Sequence, residues 1–401
     1  MSILAKSVFK TGPFAGVDVN DTFAAAAVQE TPVVISLGKI QWPAGLDPQP
    51  RALGGYQPGK KITGAVTADA DMLIVLYTEY ETMALLDVFT GNNAWTPGRK
   101  SSWYPYSHNF DKFHDDIDGI DGDDALENGI FGYLYGMQVG GTKLVLYKSE
   151  LHPKGNGPKL PFVSVIQQLV GELRPKLVVS TGTAGAIGAN VNCGDVAVCR
   201  DARFHVENTY PDFSAINKMS NDEAELTSGG TTFGTGLTYA RDKLLPLSVD
   251  GLRQCHGKLE TRSGYAFVKQ DVLPKVYTYD NAAPAPQPMV VVSADYLTVD
   301  DKNDTEGLQK LGIMNETDDA FAFYAISRLP SEQRPSWLSV RNASEPQIAT
   351  TIPTGLTKQE IMDKIKSVAG AIYGIYQYCT TLNSAAVCWA IAADLTARPS
   401  K

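Results

Sequence analysis

The chain has 401 residues, 43% hydrophobic and 20% charged, which is enough apolar material for a large globular core. Its formal net charge of -9 argues against nucleic acid or an anionic membrane surface as a partner, because both require a basic face. The five cysteines lack zinc-binding spacing and indicate reduced thiols, so neither a metal nor a cofactor is expected. Without a leader or an apolar run of membrane-spanning length, the expected location is cytoplasmic.

The first part of the chain differs in composition from the rest. Residues 1–70 are rich in Gly, Pro and Ala and are predicted to form an irregular N-terminal extension, and residues 71–398 one domain. A polar insertion is predicted at about 95–128. Its acidic run at 115–124 fails the EF-hand spacing, so a solvated loop is favoured over a calcium site.

Strands and helices alternate along the predicted domain. The pattern predicts a buried strand at 73–77 and a helix over 82–89, a hairpin formed by 130–135 and 143–147, a helix at 162–171 and a strand at 176–180. A strand at 289–293 and helices at 318–328 and 358–395 follow. This order predicts an α/β fold, a single three-layer α/β/α domain with a central mixed β-sheet. Such folds bind ligands at the carboxyl ends of their strands.

The strand at 178–180 runs directly into the small residues of 181–188, Thr-Gly-Thr-Ala-Gly-Ala-Ile-Gly. Small residues let backbone amides approach a ligand closely, and we expect a turn at this point. The segment matches neither the G-x-G-x-x-G nor the P-loop pattern. Glycine spacing alone leaves a structural turn and a ligand-binding loop equally open.

Three segments together resemble the nucleoside phosphorylase superfamily: Thr-Gly-Thr-Ala-Gly at 181–185, Gly-Asp-Val at 194–196 and Asp-Ala-Arg-Phe-His at 201–205. The last is similar to the methylthioadenosine/S-adenosylhomocysteine nucleosidases, and the resemblance extends over most of residues 72–395. It implies a nucleoside phosphorylase-like fold and cleavage of an N-glycosidic bond. It also implies a homo-oligomer, a dimer or higher, and a small nucleoside as the partner.

The resemblance assigns roles to individual residues. Glu81, just after the first strand, matches the glutamate that activates water, although a carboxylate there would also suit the helix N-terminus. Asp318 matches the acid that accepts hydrogen bonds from the ribose hydroxyls, in a segment where Thr317 replaces methionine. The alternative is that Thr317 and Asp318, with Asp319, cap the helix.

A second segment, Val-Arg-Asn-Ala-Ser-Glu at 340–345, resembles V-R-x-x-S-D. Glu345 then matches the acid that assists protonation of the purine, one methylene longer than aspartate, and Arg341 orients neighbouring groups. The alternative for Glu345 is a solvated loop acid. The other predicted substrate-binding residues are Thr183, Ala184, Gly185, Tyr296, Leu297, Thr298 and Thr317.

The residues at the place where phosphorylases bind phosphate indicate which nucleophile this chain uses. This chain has Thr78-Glu79-Tyr80-Glu81 there, and two carboxylates repel phosphate, so water is the expected nucleophile. The sequence therefore predicts a purine nucleosidase. The alternatives are a purine nucleoside phosphorylase and a nucleoside-binding or repurposed member without turnover. The sequence does not identify the 5′ substituent of the nucleoside. If that substituent is anionic, Arg200, Arg203 and Lys148 are the candidates to bind it.

Overall fold

A computed structural model describes residues 31–91, 102–113, 128–151, 161–188, 190–204, 225–263, 273–280, 285–293, 298–299, 308–345, 349–350, 355 and 357–396. Its strands are β1 Gln49–Pro50, β2 Met72–Leu76, β3 Tyr104–Tyr106, β4 Gly132–Val139, β5 Thr142–Ser149, β6 Leu177–Ala186, β7 Val196–Cys199, β8 Asp201–Phe204, β9 Glu225–Thr227, β10 Val276–Thr278, β11 Val290–Ser293, β12 Thr298–Val299, β13 Met314–Asn315, β14 Ser336–Glu345 and β15 Ala349–Thr350.

The helices are α1 Glu79–Thr90, α2 Phe110–Phe113, α3 Pro161–Leu173, α4 Thr235–Tyr239, α5 Val249–Ser263, α6 Thr317–Ser327 and α7 Lys358–Thr396. A π-helical segment, Ala240–Leu244, and a 3-10 segment, Leu245–Ser248, connect α4 to α5. A further 3-10 turn, Ser331–Gln333, precedes β14.

Most of the described strands belong to one mixed sheet. Its path is β1-β4-β5-β2-β6-β13-β11-β8-β9, with β14 pairing with both β6 and β7. The pairs β5/β2, β2/β6 and β6/β14 are parallel, whereas β4/β5, β13/β6 and β14/β7 are antiparallel. Parallel order in β2, β6 and β14 brings the carboxyl ends of these three strands to one edge of the sheet.

Helices cover both faces of this sheet. The core on one face contains residues of α1 and α7, and the core on the other contains residues of α3 and α6. Every residue of β2 and β6 is buried, as expected for parallel strands covered on both sides. The predicted α/β fold with a central mixed sheet between helices is thus confirmed.

Several predicted elements agree with the structure, and others differ. The hairpin, α3, α6 and α7 are where the sequence predicts them, and α1 begins three residues earlier than predicted. The turn expected within 181–188 is wrong, because β6 continues through residues 181–186, which pair with β14 and β13. Strand β14 and helix α5 had not been predicted as elements.

The N-terminal part that is described lies against the sheet and the last helix. Pro50 of β1 pairs with Met137 of β4, and the Val33 amide donates to the carbonyl of Ile375 in α7. In the predicted insertion, β3 pairs with β4, while the acidic run at 115–124 lies outside the described residues. The proposed boundaries at residues 70 and 398 stay predictions. In the described part of the chain, no helix combines the length and apolar character needed to cross a membrane.

Candidate active site

Polar side chains converge at the shared carboxyl edge of β2, β6 and β14. Glu81 lies in the first turn of α1, directly after β2, and Thr183 lies in β6. Arg341 lies in β14, in register with Gly182 of β6. Helix α6 begins at the same edge, because Asn315 of β13 pairs with Gly185 of β6.

Glu81 is 1% exposed and caps its own helix. The Thr78 hydroxyl accepts from the Glu81 amide at 3.3 Å, and Glu81 Oε2 accepts from the Thr78 amide at 2.9 Å, which forms a capping box. Oε2 also accepts from the Tyr77 amide at 3.3 Å. The sequence Thr-x-x-Glu fixes the position of this carboxylate at the sheet edge.

The other oxygen of Glu81 points at β6. Oε1 accepts from the Thr183 amide and from the Thr183 hydroxyl, both at 2.7 Å. This approach requires Gly182, whose φ is +136° and where a Cβ atom would lie 2.3 Å from Oε1. The small residues predicted to approach a ligand therefore approach the Glu81 carboxylate.

Arg341 is 1% exposed and is paired with Asp319, which is fully buried. Asp319 Oδ1 accepts from Nε at 3.0 Å and from Nη2 at 2.5 Å, and also from the Ser180 hydroxyl. Its Oδ2 accepts from the Ser339 hydroxyl. Burial opposes the positive charge, but Asp319, Glu316 and Glu81 raise the pKa of the guanidinium well above its ordinary value.

The remaining guanidinium nitrogen faces two more acids. Nη1 of Arg341 donates to the Thr183 carbonyl at 2.8 Å, and the guanidinium lies 4.9 Å from the centre of the Tyr77 ring. Nη1 is 3.8 Å from Glu81 Oε1 and 3.9 Å from Glu316 Oε2. Both distances exceed a direct hydrogen bond, so Nη1 donates to neither carboxyl group; the space bounded by Nη1, Glu81 Oε1 and Glu316 Oε2 is named the gap.

The N-terminus of α6 supplies the acids opposite Glu81. Glu316 is the N-cap and accepts from the Asp318 amide at 3.1 Å, so the cap is Glu316 rather than the predicted alternative of Thr317, Asp318 and Asp319. Asp318 is half-buried in the first turn, and Asp319 turns inward to Arg341.

Three carboxyl groups therefore lie within 4 Å of Arg341: Asp319, Glu81 and Glu316. Burial raises the pKa of Glu316 well above its ordinary value, an effect that Arg341 opposes and that Asp318 and Asp319 strengthen. A surplus of acids over cations in a buried cluster favours the protonated form of one of them. Glu316 is the member that meets this condition.

Glu345 ends β14 and is half-buried, rather than a solvated loop acid. Its carboxylate accepts from the Ser344 hydroxyl. Burial and then the charges of Glu81 and Glu345 raise the pKa of Tyr373 in α7, which lies beside Thr78. Tyr373 therefore lies near both carboxylates, and sequence reasoning missed it, since one aromatic residue in a long apolar helix carries no local signal.

Other predicted pocket residues have structural partners. Ala184 accepts at its carbonyl from the Ser344 hydroxyl at 3.3 Å, and Gly185 pairs with Asn315. Thr317 accepts from the Ser293 hydroxyl at 3.2 Å, which joins the start of α6 to the end of β11. The predicted position of Thr317 beside a ribose stays a prediction.

Three predicted pocket residues follow β11. Tyr296 and Leu297 lie outside the described residues, as does His205. Thr298 is described in its backbone, in strand β12, which pairs with β15 beyond the end of β14. Its role as a pocket wall stays a prediction.

The candidate cations for an anionic substituent are engaged elsewhere. Lys148, 5% exposed, forms an ion pair with Glu150 at 2.9 Å. Arg200 lies 3.7 Å from Asp201 and 5.5 Å from the ring centre of Tyr279. Arg203 is on β8, separated from β6 by β13 and β11. Among the described residues, no group of three or more His, Cys, Asp or Glu side chains could hold a metal ion.

Comparisons with known proteins find similarity in structure and not in sequence. No protein-family model and no curated protein match the chain. The 5′-methylthioadenosine/S-adenosylhomocysteine nucleosidase of Neisseria meningitidis, in complex with methylthio-immucillin-A, is 10% identical, with a TM-score of 0.40 over 81% of this chain and 99% of that chain.

Two further solved structures are similar at the same level. The futalosine hydrolase of Helicobacter pylori is 9% identical, with a TM-score of 0.41 over 80% of this chain and 97% of that chain. The S-adenosylhomocysteine nucleosidase of Streptococcus pyogenes is 13% identical, with a TM-score of 0.40 over 81% of this chain and 98% of that chain. Similarity this distant carries no argument about substrate or residue roles, which rest on the contacts described above.

Proposed function

We propose that the chain is a nucleosidase that hydrolyses the N-glycosidic bond of a purine nucleoside. The observation that carries the proposal is the convergence of Glu81, Arg341 and the first turn of α6 on one gap at the carboxyl edge of the sheet. Hydrolysis of a nucleoside passes through a ribosyl cation, which buried carboxylates stabilise. The same acids disfavour phosphate as the nucleophile, because the nearest cation, Arg341, already has three of them within 4 Å.

In the proposed reaction, the bond between the ribose anomeric carbon and the base nitrogen breaks, and its electron pair leaves with the base. The water oxygen forms the new bond to carbon, and its proton passes to Glu81. The Thr183 hydroxyl donates to Glu81 Oε1 at 2.7 Å and still has acceptor capacity, so it can receive the water proton as it passes its own to Glu81.

The remaining roles follow from position. Asp318 is half-buried at the helix N-terminus and is assigned the ribose hydroxyls, with Thr317 beside it. Glu345, the last residue of β14, is assigned to assist protonation of the base. A purine base, a homodimer and a cytoplasmic location belong to the same proposal and rest on the motif resemblance and composition.

A second candidate is a nucleoside-binding member without turnover. The observation in its favour is that four donors already fill the acceptor positions of Glu81: the Tyr77, Thr78 and Thr183 amides and the Thr183 hydroxyl. A carboxylate in this state serves the helix cap whether or not it serves catalysis. Both candidates predict that the chain binds a nucleoside, but only the nucleosidase releases free base.

The experiment incubates the purified chain with methylthioadenosine, S-adenosylhomocysteine, adenosine, inosine and AMP, with and without phosphate, and follows free base by chromatography. Nucleosidase activity releases base without phosphate, and Glu81→Gln lowers kcat by roughly 10²- to 10⁴-fold. Glu79→Gln is the matched control, since Glu79 lies in the same helical turn and is half-exposed. Release that requires phosphate identifies a phosphorylase, and a raised melting temperature without release identifies a binding protein.

Thr183 provides a second pair of variants. We expect Thr183→Val to lower kcat about as far as Glu81→Gln because it removes the hydroxyl between water and Glu81, and Thr183→Ser to stay within about tenfold of the wild type. Steady-state kinetics on the best substrate of the panel measures both. Equal activity in Thr183→Val and Thr183→Ser would exclude a proton path through this hydroxyl.

A further inference from the structure

Asp319 lies in the first turn of α6 and is fully buried, whereas its neighbour Asp318 is half-buried. The Asp319 carboxylate accepts two hydrogen bonds from Arg341, one from Ser180 and one from Ser339. The Tyr77 hydroxyl is 2.8 Å from Ser180 Oγ, and since Ser180 donates to Asp319, Tyr77 donates to Ser180.

These contacts leave one part of Arg341 free to act. Nε and Nη2 are held by Asp319, and one Nη1 hydrogen is held by the Thr183 carbonyl at 2.8 Å. The second Nη1 hydrogen remains for the gap between Glu81 at 3.8 Å and Glu316 at 3.9 Å. The orientation of this nitrogen is therefore set by the Thr183 carbonyl on its own side and by Asp319 on the opposite side of the guanidinium.

We propose that Asp319 is a positioning residue for the hydrolysis, because it holds Arg341 back from Glu81 and so keeps Nη1 directed into the gap that the reacting water occupies. The inference rests on the proposed function and names a residue that does not touch the substrate. Without Asp319, the contacts left on the guanidinium are that of Nη1 with the Thr183 carbonyl at 2.8 Å and that of Nη2 with the Ser180 hydroxyl at 3.5 Å, and the guanidinium is freer to close on Glu81 or Glu316. A direct ion pair with Arg341 would make Glu81 a poorer proton acceptor and would fill the gap.

The test compares wild type with Asp319→Asn in steady-state kinetics across pH. We expect kcat to fall roughly 10- to 100-fold with KM nearly unchanged, and the acid limb of the kcat/KM profile to move to lower pH, because a closer positive charge favours the ionised form of the base. The charged and titratable groups that face the gap, and enter this profile, are Glu81, Glu316, Asp318, Glu345, Arg341, Tyr77 and Tyr373. An acid limb that stays in place overturns the proposal.

Asp87→Asn is the matched control for the loss of a buried aspartate. Asp87 lies in α1, is 7% exposed and accepts from the Tyr378 hydroxyl at 2.5 Å. The Asp87→Asn substitution lowers stability without altering a contact of Arg341. The acid limb of its kcat/KM profile is therefore expected to stay in place. A shift in this control as large as that of Asp319→Asn would show that the profile reports general loosening and would overturn the proposal.

A double-mutant cycle tests whether Asp319 acts through Arg341. In an Arg341→Met background, or Arg341→Lys if the first does not fold, Asp319→Asn should cause no further loss of kcat. The double variant Arg341→Met with Asp319→Asn removes both buried charges, so it avoids the unpaired charge that each single variant leaves. Losses that multiply in the double variant contradict the proposal.

A structural readout separates this inference from the proposed reaction. ¹⁵N NMR of the arginine Nε–H groups, with the Arg341 signal identified by its loss in Arg341→Met, reports solvent exchange without any substrate. We expect slow exchange in wild type and fast exchange in Asp319→Asn. If the wild type cleaves no nucleoside, the proposed function fails while this result still decides whether Asp319 holds Arg341; slow exchange in both forms overturns the positioning role.

Discussion

Two sites in this chain hold a buried carboxylate, and they differ in charge balance. In the first, Glu172 near the end of α3 is 8% exposed and accepts from the Tyr106 hydroxyl at 2.9 Å, from His108 Nδ1 at 2.6 Å and from the Val66 amide at 2.7 Å. These contacts join α3 to the segment that contains Tyr106 and His108 and, separately, to Val66. The donors match the acceptors, so this cluster is explained by its contribution to stability.

In the second, Arg341 has three carboxyl groups within 4 Å at the carboxyl edge of the sheet. One of them, Asp319, satisfies most of the guanidinium donors, and Glu81 and Glu316, which cap α1 and α6, place two more acids around the same cation. Such a concentration of acids around one buried cation is typical of functional sites. The contrast indicates that a surplus of acids, rather than burial of an acid, distinguishes the candidate site from a structural contact.

The largest effect on stability is expected from Arg341→Met. It leaves Asp319 buried and unpaired, so the free energy of unfolding should fall by about 3–5 kcal/mol. Urea denaturation followed by circular dichroism measures the change. Arg341→Met combined with Asp319→Leu removes both charges and should recover most of the loss; a single variant as stable as wild type would show that this pair is not the centre of the cluster.

A smaller effect is expected at the other cluster. Glu172→Gln weakens the hydrogen bonds with Tyr106, His108 and Val66 and should lower the free energy of unfolding by about 1–3 kcal/mol. The same denaturation experiment measures it. A larger loss than in Arg341→Met would reverse the comparison between the clusters.

The smallest effect concerns the pH dependence of stability. Burial raises the folded-state pKa of Glu316 above its ordinary value of 4.5, so the folded chain keeps a proton that the unfolded chain releases. This contribution to stability is complete at low pH and is lost as pH rises toward the folded-state pKa. We expect the stability of wild type relative to Glu316→Gln to fall as pH rises above 4.5 toward the raised folded-state pKa; a difference that rises with pH contradicts a raised pKa of Glu316.

The sequence was sufficient for much of the fold. Continuous apolar runs predict β2 and the hairpin of β4 and β5, and helical spacing predicts α6 and α7. Strand β14 was missed because Ser, Arg and Asn interrupt its apolar residues, and burial of such a strand depends on partners distant in the chain. The small residues at 181–186 suggested a turn, and pairing with β14 and β13 keeps them extended.

The site was less accessible to sequence reasoning. Motif resemblance selected Glu81 and Arg341, and the Thr-x-x-Glu pattern indicates the cap that Glu81 forms. Asp319 was considered as a helix cap, and its pairing with Arg341, 22 residues away, depends on how α6 packs on the sheet. Tyr373 belongs to a helix buried along most of its length, so its position beside Thr78 follows from tertiary packing alone.

The most direct test measures base release from purine nucleosides in phosphate-free buffer by wild type, Glu81→Gln and Glu172→Gln, with folding of each verified by circular dichroism. The account predicts release by wild type and by Glu172→Gln and its loss in Glu81→Gln, since one carboxylate belongs to the reaction centre and the other to a structural contact. Release that persists in Glu81→Gln, or that is lost equally in both folded variants, would contradict it.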